Sequence, residues 1–505
     1  MAQQGQNAEQ SKQKSFAGLY GIACILIVIF FWIIPAPDGM KTEGWHLLGI
    51  FCATILAIIL KVMPIGALSI VAIAIVAITC VTSPGDTKTS IKNALSGFNE
   101  SLIWMIGVAI MISRAIIKTG LGKRVGYYFV SIFGKNTLGI AYSLVISEVI
   151  IAPVTPSNTA RGGAIVHPIM RSIARNFNSE PETKTQNKIG KYLALVNFQI
   201  NPVTSGMFIT ATAPNPMVVD KVAEVAKSYN VNLDIHITWG QWALAMLLPS
   251  VVILLLIPLV VWLVYPPEIK KTENAREMAV QELRAMGPMS LQEKIVLGIF
   301  VIMLALWAGI GGLFGFKIDP SAVAFLGLAL ALISGVLTWE DVLKEKSAWD
   351  TVVWFSALVM MASFLGKLGV VGYYAGHLEN AIKSLGFGWL GACILLTIIY
   401  LYMHYFFASV TAHVAAVFAA FYATGLALGA PPMLYALMLA AAGNIMMSLT
   451  HYATGTAPVI FGSGYASVGE WWKMGFIVSL ISLVVFAVIG GIWWKFLEYF
   501  QLQQA

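Results

Sequence analysis

The sequence has 505 residues, of which 58% are hydrophobic and 11% charged. Soluble domains carry about 25% charged residues, so the composition excludes a soluble protein and predicts an all-α protein that crosses the membrane many times. The net charge of +7 identifies no acidic partner, because excess Lys and Arg in membrane proteins chiefly sets orientation. No basic run with interleaved aromatic residues suggests nucleic acid.

The first 15 residues, MAQQGQNAEQSKQKS, are polar, rich in Gln and free of Arg. This pattern matches neither a cleavable signal nor a transit peptide, and it predicts a disordered cytoplasmic tail over 1–15. The expected location is the plasma (inner) membrane of a bacterium rather than a plastid. The four cysteines lie within apolar runs and lack metal-binding spacing, so no metal and no cofactor is predicted.

Apolar segments and their interruptions divide the rest of the chain. A first transmembrane helix is predicted over 16–43. Two larger units follow, 44–265 and 291–500, separated by a charged cytoplasmic linker over 266–290. Polar stretches with Pro and Gly break helices, and they predict one re-entrant helical hairpin and one broken helix in each unit. These lie at 136–176 and 190–222 in the first unit, and at 385–428 and 431–461 in the second.

The two units repeat one another in sequence. Five short motifs recur in the same order roughly 250 residues apart, a strong signal of an internal repeat. The pairs are WMIGVAIM at 104–111 with WFSALVMM at 354–361, KTG with KLG, GYY with GYY, SNTAR at 157–161 with SVTAH at 409–413, and TATAP at 210–214 with TGTAP at 454–458.

The distribution of Lys and Arg predicts the orientation. With the N-terminus in the cytoplasm and hairpins that do not cross, 20 of these residues lie on the cytoplasmic side and nine lie outside, as cytoplasmic loops require. About eleven transmembrane helices result, one extra and five per repeat. Because five is odd, the second repeat is inverted, and the two hairpins enter the membrane from opposite sides.

The matched polar motifs predict the binding site. Inverted repeats with broken helices are typical of secondary transporters, whose site lies near the membrane midplane. Ser, Asn and Thr cap helices and offer polar groups to a ligand, and helix N-termini attract anions. Two facing hairpin tips would bind a molecule with two anionic ends. The predicted substrate-binding residues are Ser157, Asn158, Thr159, Thr212, Pro214, Ser409, Val410, Thr411, Thr456 and Pro458.

Arg161 and His413 end the two matched pentapeptides. A charge at membrane depth costs about 2.5–3.5 kcal/mol on insertion scales, so Arg161 must be paired or face water. One interpretation makes it a fixed positive charge for an anionic substrate, and the other a structural residue bound to backbone carbonyls or to Glu148. His413 is likewise either a charge-compensating residue or a core histidine. The breaks themselves have a second interpretation, as internally bonded Pro kinks.

SNTARGG at 157–163 and FFASVTAHVAA at 406–416 resemble the divalent anion/sodium symporter superfamily, and the resemblance covers nearly all of the chain after about residue 40. It is closest to the dicarboxylate exchanger branch, similar to plastidic 2-oxoglutarate/malate translocators and bacterial citrate/succinate antiporters. The resemblance implies a homodimer. It also implies an elevator-like motion, in which hairpins and broken helices form a transport domain that moves against a fixed scaffold.

One departure from the family pattern bears on ion coupling. Val410 stands where the sodium-coupled branch has Asn. With Arg161 and His413 in place of sodium, we expect sodium-independent exchange of C4/C5 dicarboxylates such as 2-oxoglutarate, malate, succinate and fumarate. The alternative is a sodium-coupled di- or tricarboxylate symporter. An enzyme is not expected, because the nucleophile-elbow and zinc-protease motifs are missing. The expected partners are dicarboxylate anions, the lipid bilayer and a second copy of the chain.

Overall fold

The computed structural model describes residues 2–60, 62–229, 233, 235–315, 318–407 and 409–499. These residues form helices and no β-strand beyond one isolated bridge between Asn136 and Lys271. The first half contains α1 Ala2–Ile33, α2 Thr42–Ile59, α3 Ile65–Thr79, α4 Thr87–Ala94, α5 Ser101–Thr119, α6 Leu121–Phe133, α7 Thr137–Ile151, a π-helix Thr159–Val166, α8 His167–Asn176, α9 Gly190–Met207, α10 Pro214–Tyr229 and α11 Trp239–Val264.

The second half continues from the linker helix. It contains α12 Glu273–Met286, α13 Leu291–Trp307, α14 Pro320–Ile333, α15 Trp339–Lys344, α16 Lys346–Lys367, α17 Val370–Lys383, α18 Trp389–Tyr402, α19 Val410–Ala427, α20 Pro432–Ile445, α21 Thr456–Phe461, α22 Val468–Val485 and α23 Gly491–Phe496. Short 3₁₀ turns extend several of these helices, and a π-helical turn Phe486–Gly490 joins the last two.

Membrane-spanning helices dominate the described residues. Eight helices are long and apolar enough to cross a bilayer, and the bent pair α12–α13 raises that number to nine. Four shorter apolar helices add to them, at Gly18–Ile33, Ile65–Thr79, Pro320–Ile333 and Pro432–Ser448. The chain is therefore an all-helical, multi-pass membrane protein, as its composition predicts.

The N-terminal tail differs from expectation. The sequence predicts disorder over 1–15, whereas α1 begins at Ala2 and continues into the first apolar helix. Gln, Glu, Lys and Ala are good helix formers. A tail of such residues adds turns to an existing helix without the cost of nucleating a new one.

Matched elements of the two repeats end and begin in the same way. Both α5 and α16 lead to a glycine in the left-handed region, Gly120 (φ 80°) and Gly369 (φ 84°), in the KTG and KLG motifs. A left-handed residue closes a helix with little steric cost only when it is glycine. The helices α6 and α17 then start in a new direction. Likewise, α11 and α22 both begin with a capping box, at Thr238 and Ser467.

The linker helix α12 lies along α6 of the first repeat. The Thr272 hydroxyl donates to the Gly134 carbonyl at 2.9 Å, and Arg276 Nε donates to the Ser131 carbonyl at 3.0 Å. Arg124 of α6 forms an ion pair with Glu293 at the start of α13, with a Nε–Oε1 distance of 2.6 Å. The chain between the repeats is thus fixed to the first repeat rather than free.

Two hairpins and two breaks interrupt the helices. Hairpin 1 consists of α7, a short extended segment around Pro156, the π-helix and α8, and hairpin 2 consists of α18 and α19 joined at Ser409. Break 1 separates α9 from α10 around Thr212, and break 2 separates α20 from α21 around Thr454. The tip of hairpin 1 and break 1 are mostly buried, whereas Phe406 at the tip of hairpin 2 and Gly455 in break 2 are exposed. Non-helical backbone at membrane depth is tolerated only against protein or a water-filled cavity.

Candidate functional site

One cavity of about 610 Å³ lies where both hairpin tips and both breaks meet. Eight of the ten residues predicted to bind substrate line it: Ser157, Asn158, Thr159, Thr212, Pro214, Ser409, Val410 and Thr411. Residues 252 positions apart in SNTAR and SVTAH therefore share one cavity, as a repeat whose halves face each other requires.

The tip of hairpin 1 is held by hydrogen bonds from both repeats. Asn158 Nδ2 donates to Thr454 Oγ1 in break 2 at 2.7 Å, and Asn201 Nδ2 of α9 donates to the Asn158 carbonyl at 3.2 Å. The Ala160 amide donates to Ser157 Oγ at 3.2 Å, which caps the π-helix. This tip is thus a rigid polar surface that also connects the two repeats.

The tip of hairpin 2 is capped in the same way but is less polar. Ser409 is the N-cap of α19, and its hydroxyl accepts from the Ala412 amide at 3.4 Å. Val410 replaces the amide that Asn158 supplies at tip 1, and it is buried. The two tips share a capping serine. They differ in the helix that follows, a π-helix in hairpin 1 and an α-helix in hairpin 2, and in side-chain polarity at the middle position.

Several helices direct their N-termini at this cavity. The π-helix that leads into α8 begins at Thr159, α10 begins at Pro214 and α19 begins at Val410, and each of these residues lines the cavity. The first amides of a helix lack backbone partners and carry a partial positive charge of about half a unit. The helix starts at this cavity therefore favour an anionic ligand.

A polar face of α16 forms a further wall of the cavity, which we did not predict from the sequence. Ser347, Asp350, Thr351 and Trp354 line the cavity at intervals of three and four residues, which places them on one face of the helix. The same spacing is visible in KSAWDTVVW, where polar residues interrupt an otherwise apolar helix. This spacing of polar residues is the feature of the sequence that could have predicted the polar face of α16. Thr454 and Gly455 of break 2 also line the cavity without having been predicted.

Arg161 is fully buried and does not line the cavity. Its Nε donates to Glu148 Oε1 at 2.7 Å, its Nη1 donates to the carbonyls of Thr155 and Ala211 at 2.8 and 3.0 Å, and its Nη2 donates to Ser205 Oγ at 2.6 Å. These are the contacts that the structural interpretation of Arg161 requires. The ion pair offsets its charge, so charge compensation by Arg161 stays a prediction.

Glu148 connects Arg161 to the tip of hairpin 1. Its Oε1 also accepts from Asn201 Nδ2 at 2.6 Å, and the Asn201 amide donates to the Asn158 carbonyl. One amide therefore joins the buried ion pair to the backbone of a cavity residue. Through these hydrogen bonds Arg161 positions tip 1, although Arg161 itself does not face the cavity.

His413 is also fully buried and lies outside the cavity lining. Its Nδ1 is 3.3 Å from Nδ1 of His404, and His404 Nε2 is 3.0 Å from the Ala453 carbonyl. Because a carbonyl only accepts, His404 Nε2 carries a hydrogen, and in the neutral pair His413 Nδ1 donates to His404 Nδ1. The ring packs against Tyr400 and Phe407. A cationic His413 stays a prediction.

Thr456 and Pro458 were predicted to bind substrate, but neither lines the main cavity. Thr456 is fully buried away from the cavity, and Pro458 lines a separate cavity of about 410 Å³ beside Tyr405 and Phe407. The matched residues Thr212 and Pro214 do line the main cavity. The matched motifs in the two breaks therefore occupy different surroundings, because in this conformation break 2 presents Thr454 and Gly455 to the cavity instead.

Comparison with known proteins identifies the family. Residues 13–500 match the model described as the sodium:sulfate symporter transmembrane region. The putative malate transporter YflS of Bacillus subtilis (strain 168) is 46% identical over 497 residues, which cover 98% of this chain and 99% of that protein. Dicarboxylate transporter 1, chloroplastic, of Spinacia oleracea is 38% identical over 94% of this chain and 80% of its own length.

Solved structures share the fold at low sequence identity. The Alcanivorax borkumensis YdaH transporter, described as having an unusual topology, superposes with a TM-score of 0.54 at 11% identity. The match covers 95% of this chain and 98% of that one. Since the family model spans nearly the whole sequence and the two relatives match 98% and 94% of this chain, the chain belongs to the sodium:sulfate symporter family of the divalent anion/sodium symporter superfamily.

Proposed function

We propose that this protein is a secondary active transporter that exchanges C4/C5 dicarboxylates, such as 2-oxoglutarate, malate, succinate and fumarate, by sodium-independent, elevator-type antiport. One observation carries the proposal: the tips of both hairpins and the N-termini of three helices converge on a single cavity. The names of the Bacillus and spinach relatives, a malate and a dicarboxylate transporter, support the substrate class.

The electrostatics of the cavity suit a dianion. The starts of the π-helix and of α19 contribute about +0.5 charge each, or about +1 together. The start of α10 adds less, because Pro214 and Pro216 have no N–H and the Asn215 amide donates to the Thr212 carbonyl. Ser157 and Thr159 at one tip and Ser409 and Thr411 at the other add hydroxyl groups, which donate to a carboxylate oxygen and tolerate different chain lengths. Each tip would hold one end of the substrate.

The arrangement of the cavity walls supports an elevator motion. Substrate would bind to the hairpins and breaks, whereas α16 supplies a wall from outside this group. In the predicted topology Lys344 and Lys346 are cytoplasmic, so the cavity, which begins at Ser347, opens to the cytoplasm. The proposal includes a cytoplasmic N-terminus, a plasma-membrane location and a homodimer.

The proposed sodium independence depends on the positive charges of Arg161 and His413. The structure limits how much of that charge Arg161 can supply. Arg161 is paired with Glu148 at 2.7 Å, so its charge acts on the substrate only to the extent that the carboxylate does not cancel it. In an exchanger, the unloaded transport domain would cross poorly because the positive helix ends would lack their anion. Both points are open to direct test.

The second candidate is a sodium-coupled symporter, and the Arg161–Glu148 pair favours it. If the pair is neutral as a unit, hairpin 1 provides no net charge in place of sodium. A cation would then still be needed to bind two carboxylates tightly. The family name also refers to sodium.

Uptake into proteoliposomes distinguishes the two. Labelled succinate and labelled 2-oxoglutarate are each tested with and without unlabelled internal dicarboxylate, in sodium and in choline buffers. We expect uptake to require internal dicarboxylate and to be equal in the two buffers. Uptake into empty vesicles that depends on external sodium would overturn the exchanger and support the symporter.

A further inference from the structure

A carboxylate lies in a cavity proposed to bind anions. Among the cavity-lining residues that the structure describes, Asp350 carries the only ionisable side chain. It lies on the polar face of α16, is exposed, and faces the same space as both hairpin tips. An acidic group opposes the binding of any anion, so its presence on this wall calls for a function.

The carboxylate has a defined position. Asp350 Oδ1 lies against the backbone of Gly66, so closely that a Cβ at residue 66 would overlap it. Gly66 is in the first turn of α3, whose N-cap Pro64 provides no side-chain hydrogen bond. The Gly66 amide donates to this carboxylate, and the free amides at a helix start attract a negative charge. Asp350 therefore has a fixed position on the cavity wall.

The repeat supplies a second acid at the matching position. Four residues before the paired tryptophans, Glu100 begins ESLIW and Asp350 begins DTVVW. Both motifs have an acid, a hydroxyl residue, two apolar residues and Trp. Glu100 precedes α5 and lies within electrostatic range of Asp220 on α10. In this conformation Asp350 lines the cavity, whereas Glu100 is exposed and lies outside the cavity lining.

We propose that Asp350 and Glu100 are specificity-determining residues that act as a pair of charge filters, and this inference rests on the proposed function. Asp350 faces substrate when the cavity opens on its side, and Glu100 does so when the inverted repeat opens the other side. Each repels an anion in proportion to the anion's charge, so trianions are disfavoured relative to dianions. The filters thereby restrict the site to dicarboxylates although the tips could accept two ends of a tricarboxylate.

Coulomb's law gives the size of the effect. At roughly 8 Å and an effective dielectric constant of about 40–80, one additional negative charge on the substrate changes affinity about 2- to 6-fold. Removing one filter should shift the ratio of tricarboxylate to dicarboxylate affinity by about that factor.

The test is competition for labelled succinate exchange in proteoliposomes at about pH 8, with unlabelled succinate and unlabelled tricarballylate as competitors. The variant Asp350→Asn keeps the shape beside Gly66 and removes the charge. We expect the tricarballylate to succinate ratio of half-inhibitory concentrations to fall about 2- to 6-fold. Asp350→Glu keeps the charge and should retain the ratio. Glu340→Gln removes an exposed acid of α15 that does not line the cavity, and it should also retain the ratio.

The outcomes separate this inference from the proposed function. If wild-type protein fails to exchange succinate, the proposed function is wrong. If wild-type protein exchanges succinate but Asp350→Asn leaves the ratio unchanged, the charge filter is wrong. Should Asp350→Asn fail to fold, Glu100→Gln provides the same measurement from the other side, and an unchanged ratio there overturns the inference. Loss of succinate exchange in a folded Asp350→Asn protein would also overturn it, because a filter is not required for transport.

Discussion

The two hairpins perform matched structural tasks with different chemistry. Both tips begin with a serine that caps the following helix, and both border the same cavity. Behind tip 1 lies a buried ion pair, Arg161 with Glu148. Behind tip 2 lies a pair of histidines, His404 with His413, enclosed by aromatic rings. The repeat therefore preserves the serine caps, whereas the helix that follows each tip and the charged and polar groups that support it differ.

Breaking the ion pair of hairpin 1 should have the largest effect on exchange and on stability. Arg161→Ala leaves Glu148 buried without its cation, and breaking a buried pair costs about 3–5 kcal/mol. We expect loss of exchange together with a large drop in thermal stability, measured by unfolding in detergent and by succinate counterflow.

The double variant Glu148→Gln with Arg161→Met separates structure from charge. Replacing both members of a buried pair costs far less than removing one, so we expect the fold to be retained. If the folded double variant lacks exchange, the charge of Arg161 serves transport. If it exchanges normally, Arg161 acts only through the structure, and its proposed role in place of sodium is wrong.

A reciprocal exchange of the middle residues tests the polarity of the tips. Asn158→Val gives tip 1 the residue of tip 2 and removes the hydrogen bond to Thr454 Oγ1. A buried acceptor left without its partner costs about 1–3 kcal/mol, so the apparent KM for succinate should rise at least about fivefold.

The opposite change is the control for this swap. Val410→Asn breaks no hydrogen bond of the described tip, because Val410 has no polar side-chain atom, so we expect a change in KM of less than about threefold. Equal effects of the two changes on exchange kinetics would contradict the idea that tip 1 carries the specific polar contacts.

The histidine pair of hairpin 2 should matter less. His413→Asn retains an N–H donor for His404 and removes the ring that could become cationic. Because the hydrogen bonds fit a neutral pair, we expect counterflow at about pH 8 to fall less than tenfold. A complete loss of exchange in a well-folded variant would instead support the cationic role predicted for His413.

Substitution of the matched lysines in the KTG and KLG motifs should have the smallest effect on stability. Lys118 Nζ is 2.6 Å from Asp341 Oδ2, whereas Lys367 lies 4.8 Å over the ring of Phe364. The hydrogen bond from Lys118 holds the pKa of Asp341 well below its usual range. The stabilisation from this hydrogen bond is therefore fully present at pH values above the unfolded-state pKa of Asp, about 4. It is lost as the pH falls through the lowered pKa of Asp341 in the folded protein.

Substituting each lysine in turn measures how much the contact between Lys118 and Asp341 stabilises the fold. Since Lys118 is about one third exposed, Lys118→Met should lower the free energy of unfolding by about 0.5–1 kcal/mol at pH 7, and the difference from wild type should vanish in strong acid. Lys367→Met serves as the matched control and should show no such dependence on pH. Melting temperatures in detergent over a pH series check both expectations.

The sequence by itself determined the features that depend on local chemistry. Apolar runs of about 20 residues specify membrane helices because unpaired backbone groups are costly in lipid. Pro and Gly, or in hairpin 2 the polar residues of HYFFASVTAH at 404–413, specify the interruptions, and the matched motifs revealed which segments correspond. Eight cavity residues followed from this pattern alone, since polar groups are placed at membrane depth only at a cost.

The tertiary structure decided which polar groups meet. Glu148 and Arg161 are 13 residues apart in one hairpin, yet the pairing also needs Asn201 and Ser205 from α9. Asp350 faces the cavity because α16 turns that side toward the tips, and Thr456 does not because break 2 presents its neighbours. Matched motifs differ in this way because a repeat fixes the order of the elements, whereas the direction a residue faces depends on helices packed from distant parts of the chain.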